Sequence, residues 1–233
     1  PNLPYDERQY DFCFISSPNQ FRIKGGPEAV QAFQRVRSRL GTEIRLCIVA
    51  NLPEANKVLG NLDDYPGVEW RQSNLSQIEI AKLLANSRCL VHPSMSDSFG
   101  VVILEALAAG CAIITSNFGS IPEMVEDKVN GFLINMPVSA VIGDTYITEY
   151  GDASYLSRYI NTLGLHSVIK ELDLLMGNMV ENESTTKLMM ARSSQLYQLK
   201  FSEEIWMQSM IDILQSAFPE YDLLNNILSM KRG

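Results

Sequence analysis

Histidine is nearly absent from this 233-residue sequence, with two residues, His92 and His166, far apart. Cysteine is sparse too: Cys13, Cys47, Cys89 and Cys111 are widely spaced and form no C-x-x-C pair. A structural metal site, which needs several such ligands at short spacing, is therefore not expected. Each cysteine lies in an apolar, strand-like run, so all four read as small buried hydrophobes in a reducing compartment. No apolar run approaches the ~18 residues of a membrane helix. The start shows no charged-then-apolar leader, and because it begins with Pro1 the chain reads as a fragment or processed product. Basic residues are outnumbered, 19 Lys and Arg against 27 Asp and Glu, for a net charge of -8. No nucleic-acid partner is expected from that balance.

What is present is ordinary for a globular protein: 46% apolar and 20% charged residues. Short apolar runs alternate with longer helical ones. Strands are expected at Tyr10 to Ser16, Glu43 to Ala50, Val68 to Arg71, Cys89 to His92, Ala112 to Thr115 and Gly131 to Ile134. Most are apolar on both faces, as central strands of a parallel sheet are. Helices are expected at Pro27 to Leu40, Ser76 to Ala85, Phe99 to Ala109 and Ile121 to Glu126. The alternation predicts a doubly wound, Rossmann-like α/β domain. Beyond Ala153 the pattern becomes helical, at Tyr155 to Leu163, Val168 to Met179, Thr185 to Leu199 and Ser202 to Phe218. A last stretch, Tyr221 to Met230, carries Leu223, Leu224, Ile227 and Leu228 on one side. The expected division is a domain over 1–218 and a tail helix over 219–233.

The segment Ser94 to Gly110 carries the chemistry. A strand ends near Pro93, a polar loop follows, and an almost wholly apolar helix runs to Gly110, a plausible C-terminal cap. Ligands of open α/β sheets bind at such strand ends. A helix N-terminus offers unpaired N–H groups and partial positive charge, and Gly100 allows close approach, so an anion site can form without a basic side chain. Glu105 is costly among apolar neighbours unless hydrogen-bonded. It lies ~9 Å along the axis from the helix start, with Asp97 just outside that start. These two acids admit two readings: carboxylates that accept from vicinal diols on either side of a diphosphate, or a solvent-facing glutamate and an N-terminal capping aspartate.

The pattern D-x-F-G-x-x-x-x-E-A-x-A-x-G over Asp97 to Gly110 resembles the E-x7-E motif of retaining family 4 glycosyltransferases, the "glycosyl transferases group 1", which have the GT-B fold. Asp97 replaces the first glutamate and Glu105 matches the second. The flanking runs Ala85 to Ser94, Gly110 to Thr115, Gly119 to Leu133 and Lys200 to Trp206 are similar to that family as well, and the resemblance spans roughly residues 10 to 218. It implies that Ser98, Phe99, Gly100 and Val101 at the helix start hold the donor diphosphate, that Glu105 holds the ribose, and that Asp97 contacts the sugar. The shorter Asp97 alters the sugar end of the site.

Ser16 to Gly26 resembles the family's basic G-R-x-x-x-x-K-G loop. Lys24-Gly25 matches its end, whereas Ser17-Pro18-Asn19 stands where Gly-Arg is expected, and Arg22 is then the candidate for the missing charge. Lys24 and Asp97 are the expected catalytic residues, Lys24 because a cation beside the departing diphosphate stabilises charge that grows in the transition state. Ser120 and Glu123 fit a capping box. His92 is expected to be packed or hydrogen-bonded. Asn51 and the stretch Gln72 to Asn74 follow strands on the same sheet edge and are expected to line the nucleobase slot. Residues 137–152 read as an insertion.

The resemblance implies transfer of a sugar from a nucleotide-diphosphate donor with retention of configuration, without a metal or other cofactor, in glycan or polysaccharide synthesis. It also implies a missing N-terminal acceptor domain, with little transfer by this chain alone, a cytoplasmic location, and any membrane contact made through that other domain. A non-catalytic nucleotide-sugar-binding or scaffold module of the same fold is the alternative, and an epimerase is a second; a phosphorylase would need a cofactor lysine site, for which there is no signal.

Overall fold

The computed structural model describes residues 2–97, 99–137, 141–142, 145–146 and 165–217. Six parallel strands form its centre: β1 (Tyr10–Ile15), β2 (Leu46–Ala50), β3 (Val68–Gln72), β4 (Ser87–His92), β5 (Ala112–Ser116) and β6 (Gly131–Ile134). Their order is β3-β2-β1-β4-β5-β6. That order reverses direction between β1 and β4, the switch point at which a doubly wound sheet opens a crevice. A two-stranded antiparallel pair, β7 (Val141–Ile142) and β8 (Thr145–Tyr146), lies within the expected insertion.

The apolar strands are buried as their sequences require: every residue of β2 and β5 is inaccessible. The edge strand β3 is only half-buried and carries Glu69 and Arg71, which discourage pairing with another chain. Helices cover both faces. On one, Phe12, Phe14, Leu46 and Ile48 pack with Phe33 and Val36 of α1 (Gly26–Leu40). The same core takes Val168, Leu172 and Met176 of α6 (His166–Glu181), and Arg39 of α1 bonds Asp173 at 2.7 Å. On the other, Tyr10, Cys47 and Val49 meet Leu83 of α3 (Gln77–Ala85). Each large side chain so buried contributes roughly 1.5–3 kcal/mol.

Between β2 and β3 lies α2 (Leu52–Leu59), which the sequence reading did not identify. Asn51 starts it, its Oδ1 accepting from Glu54 N at 3.0 Å. The helix is amphipathic but short, eight residues with Pro53 in its first turn, and buries only Ala55 fully. The remaining helices are α4 (Val101–Ala108), α5 (Ile121–Met124), α7 (Glu183–Lys200) and α8 (Glu203–Ala217). The expected helix at Tyr155 to Leu163 and the tail stretch Tyr221 to Met230 lie outside the described residues. Two compact units divide the chain, the first being Pro1–Ser194 and the second beginning at Gln195 within α7.

All four cysteines are free and buried, and burial pushes the Cys47 and Cys111 thiols up to about 12. They pack as small hydrophobes. Arg8, which the sequence reading passed over, is buried and donates to Ser87 O, Ala109 O and Leu3 O. It places a cation at the C-terminal end of α4, where the helix dipole is negative.

Candidate active site

Two loops meet at the switch point. One follows β1, from Ser16 to Gly25; the other follows β4, from Pro93 to Gly100. Gly25 makes their approach possible: its φ is +78°, and a Cβ there would lie 2.3 Å from Pro93 O. Gly100 has φ +83° and sits at the N-cap of α4, so the helix starts at Val101 and not at Phe99 as the sequence led one to expect. Gly110, at φ +65°, follows the last turn as the expected terminator.

A cleft of about 570 Å³ opens between the loops. Its polar wall includes Lys24, Asp97, Gly100, Val101 and Glu105, so the structure brings together residues that lie far apart in sequence. Lys24 Nζ donates to Asp97 Oδ2 at 2.8 Å and to Ser96 O at 2.6 Å. Asp97 Oδ1 accepts from Gly100 N at 2.8 Å. Asp97 therefore holds the residue at the N-cap as well as lining the cleft, and Gly100 N–H is already engaged. Ile103 N bonds Gly100 O. In the first turn of α4 the amides of Val101 and Val102, both on the cleft wall, have no partner among the described residues.

His92 lies beneath, 2% exposed, stacked on Phe14 with centroids 5.9 Å apart. Its Nε2 is 3.3 Å from Asp97 Oδ2. Burial lowers the His92 pKa, against the opposing effect of its hydrogen bond to Asp97, so the ring is neutral near pH 7. Burial disfavours the Asp97 anion, but hydrogen bonds from His92 and Lys24 and the Lys24 charge outweigh it and hold the carboxyl well below its usual range. An ionised carboxylate only accepts, so Nε2 carries the proton and Nδ1 is left as a buried acceptor without a partner.

Glu105 stands apart. It lines the cleft, and its carboxylate has no protein partner among the described residues. Burial alone raises its pKa. The far end of the cleft is apolar, formed by Ile15, Val49, Leu75 and Ile80, with Ser73 and Gln77 beside them. Ser73 Oγ is buried without a hydrogen bond. These residues were not singled out individually from the sequence; only the position of Ser73 after a strand end pointed to it. Its neighbours act elsewhere, Gln72 Oε1 accepting from Leu52 N and Asn51 capping α2.

Three expectations need correction. Arg22 is not on the cleft wall; its Nη1 donates to both Glu28 oxygens at 2.7 Å in a buried pair, so its charge is matched internally. Phe99 is 45% exposed, precedes the helix and does not line the cleft. Ser120 forms no capping box with Glu123; its backbone is already helical, and its hydroxyl bonds Phe99 O at 2.9 Å, tying α5 to the loop before α4. Ser98 lies outside the described residues. Among the described residues, no three His, Cys, Asp or Glu side chains come together as a metal site would need, and no helix is long and apolar enough to cross a membrane.

The chain is similar in sequence and in fold to known proteins. The family profile of "Glycosyl transferases group 1" matches residues 5–142. An alpha-maltose-1-phosphate synthase of Mycobacterium tuberculosis is 32% identical over 128 residues, 52% of this chain and 33% of that protein. An N-acetyl-alpha-D-glucosaminyl L-malate synthase of Bacillus anthracis is 30% identical over 144 residues, 61% of this chain and 37% of that protein. The chain thus spans about a third of the length of these relatives. Among solved structures, Anabaena Alr3699/HepE in complex with UDP and glucose superposes with a TM-score of 0.62 at 18% identity, over 89% of this chain and 49% of that one. The C-terminal domain of a glycosyl transferase group 1 protein (LpcC) from Francisella tularensis superposes with a TM-score of 0.59 at 14% identity, over 86% of this chain and 96% of that one. With its six-stranded Rossmann-like sheet and a family match over more than half its length, this chain belongs to the glycosyl transferases group 1 family.

Proposed function

We propose that the chain is the donor-binding half of a two-domain GT-B glycosyltransferase and that the switch-point cleft holds a nucleoside-diphosphate sugar. The observation that carries this is the pairing of an anion site with a free acid. Lys24 and the Val101 and Val102 amides line the cleft at the first turn of α4, and about one turn on Glu105, partnerless among the described residues, faces the same cleft. A pyrophosphate fits the first and a ribose diol the second. The apolar end formed by Leu75 and Ile80, with Ser73 and Gln77 as hydrogen-bonding groups, suits a nucleobase. A uracil is the base we favour, because HepE was solved with UDP and with UDP-glucose.

In this reading Lys24 and the helix start stabilise negative charge on the leaving diphosphate, the task a divalent cation performs in other transferases. The transfer is metal-free, retains anomeric configuration and serves glycan or polysaccharide synthesis. The acceptor sits on a further, N-terminal domain, a reading supported by the near-complete match to an isolated C-terminal domain and by coverage of about half of HepE. Four free, buried thiols support a reducing, cytoplasmic location.

Titration of the chain with UDP and UDP-glucose tests the proposal. Micromolar to millimolar binding that weakens strongly in Glu105→Ala is expected; no binding of any UDP-, GDP- or ADP-linked ligand would refute it. Assay of the complete protein separates this reading from a non-catalytic module, which a single cleft-facing cation among the described residues favours: binding without transfer to any acceptor would select the module.

A further inference from the structure

Asp97 has little freedom to bind a sugar. Its carboxylate joins three elements: Oδ1 accepts from Gly100 N at 2.8 Å, and Oδ2 accepts from Lys24 Nζ at 2.8 Å and faces His92 Nε2 at 3.3 Å. Its side chain is 12% exposed. The residue is held from both ends. His92 is buried against Phe14, with its carbonyl accepting from Thr115 Oγ1 at 2.9 Å. A bond to the amide three residues on is the reach of an aspartate, and one more methylene would carry the carboxylate past it.

Lys24 is held in turn. Of the three N–H groups on its ammonium, one goes to Asp97 and one to Ser96 O, leaving a third for a ligand in the cleft that Val101 and Val102 also line. Two donors fixed by protein acceptors leave a cation with little reorganisation to undergo when an anion arrives.

We propose that Asp97 is a positioning residue which does not read the donor sugar, but clamps the Lys24 ammonium against the first turn of α4 so that Lys24 and the Val101 and Val102 amides form one preorganised phosphate site. The proposal rests on the reading of the cleft as a diphosphate site and differs from it in assigning Asp97 to the phosphate end. Sugar discrimination then falls to groups other than Asp97.

The test is a double-mutant cycle with UDP and UDP-glucose as probes. In Asp97→Asn the side-chain oxygen still reaches Gly100 N, but the amide nitrogen cannot accept from Lys24. The clamp predicts that this variant weakens UDP and UDP-glucose by the same factor, about tenfold for one charge-assisted hydrogen-bond partner lost. In a Lys24→Met background, Asp97→Asn is expected to cost almost nothing further. A loss confined to UDP-glucose, or an equal loss in both backgrounds, overturns the proposal. A ligand-free readout keeps it separate from the identity of the nucleotide. The Lys24 ammonium should give a slowly exchanging proton–nitrogen correlation in the unliganded wild type and lose it in Asp97→Asn. A wild-type Lys24 signal that exchanges like a surface lysine refutes the clamp, whereas a protected signal with no binding of either probe refutes only the nucleotide reading.

Discussion

Lys24 Nζ lies 2.8 Å from Asp97 Oδ2 although 73 positions separate the two residues. The pair spans the crevice between β1 and β4, and each side chain is 12% exposed. It joins the basic loop after β1 to the loop that leads into α4, and so sets where negative charge can sit in the cleft.

Replacing Lys24 by alanine should remove the only cleft-lining cationic side chain among the described residues. We expect kcat/KM for transfer by the complete protein to fall about a hundredfold, the range seen when a preorganised charge donor is lost. Unchanged steady-state kinetics and donor affinity would remove Lys24 from the mechanism.

Glu105 and Asp97 respond to acid in opposite ways. Burial raises the Glu105 pKa, so the folded protein binds its proton more readily than the unfolded chain does, and ionised Glu105 is a net cost to stability above its folded pKa. Asp97 is depressed by its partners, so its stabilisation is present above ~4 and lost as pH falls through the lower folded value. Nucleotide affinity should therefore decline on acidification from neutrality towards pH ~4.5 as Glu105 protonates, while Asp97 stays ionised. Glu105→Gln should flatten that profile, bind nucleotide more weakly at pH 7, and melt at the same temperature or up to about 2 °C higher. A melting point several degrees lower would show that the acid serves the fold.

The Arg22–Glu28 pair is buried, with side chains 9% and 4% exposed. Removing Arg22 strands the Glu28 carboxylate and removing Glu28 takes a buried countercharge from Arg22, so Arg22→Met and Glu28→Gln should each cost about 3 kcal/mol in chemical denaturation. Arg22→Met with Glu28→Leu should cost less than the sum. Nucleotide affinity of folded Arg22→Met should change far less than that of Lys24→Ala; an equal loss would return Arg22 to the donor site.

Gly25→Ala tests the loop contact. Its Cβ would meet Pro93 O at 2.3 Å at a φ of +78°, so a backbone has to move. We expect at least ~2 kcal/mol of destabilisation, the left-handed penalty of 1–2 kcal/mol plus the clash, together with loss of nucleotide binding. An unchanged melting point in Gly25→Ala would mean that the Pro93 contact is soft.

The alternation of apolar strands and amphipathic helices was legible because burial of both sheet faces leaves a periodic trace, as in β2 and β5. Helix α2 escaped because eight residues, with a proline in the first turn, give only two turns of that pattern. The acids Asp97 and Glu105 stood out because carboxylates are conspicuous beside an apolar helix.

Which groups those acids meet was decided by tertiary packing. Arg22 and Lys24, two positions apart in one loop, read alike as cations; the turn buries Arg22 against Glu28 and sends Lys24 across the switch point to Asp97. The helix start likewise shifted from Phe99 to Val101 because Gly100 adopts a left-handed conformation and yields its N–H to Asp97. Local pattern determines which segments form strands and helices, since that depends on periodic burial along the chain. The direction of a particular charge or amide depends on which distant group can satisfy it, and that is settled only when the sheet has brought β1 and β4 side by side.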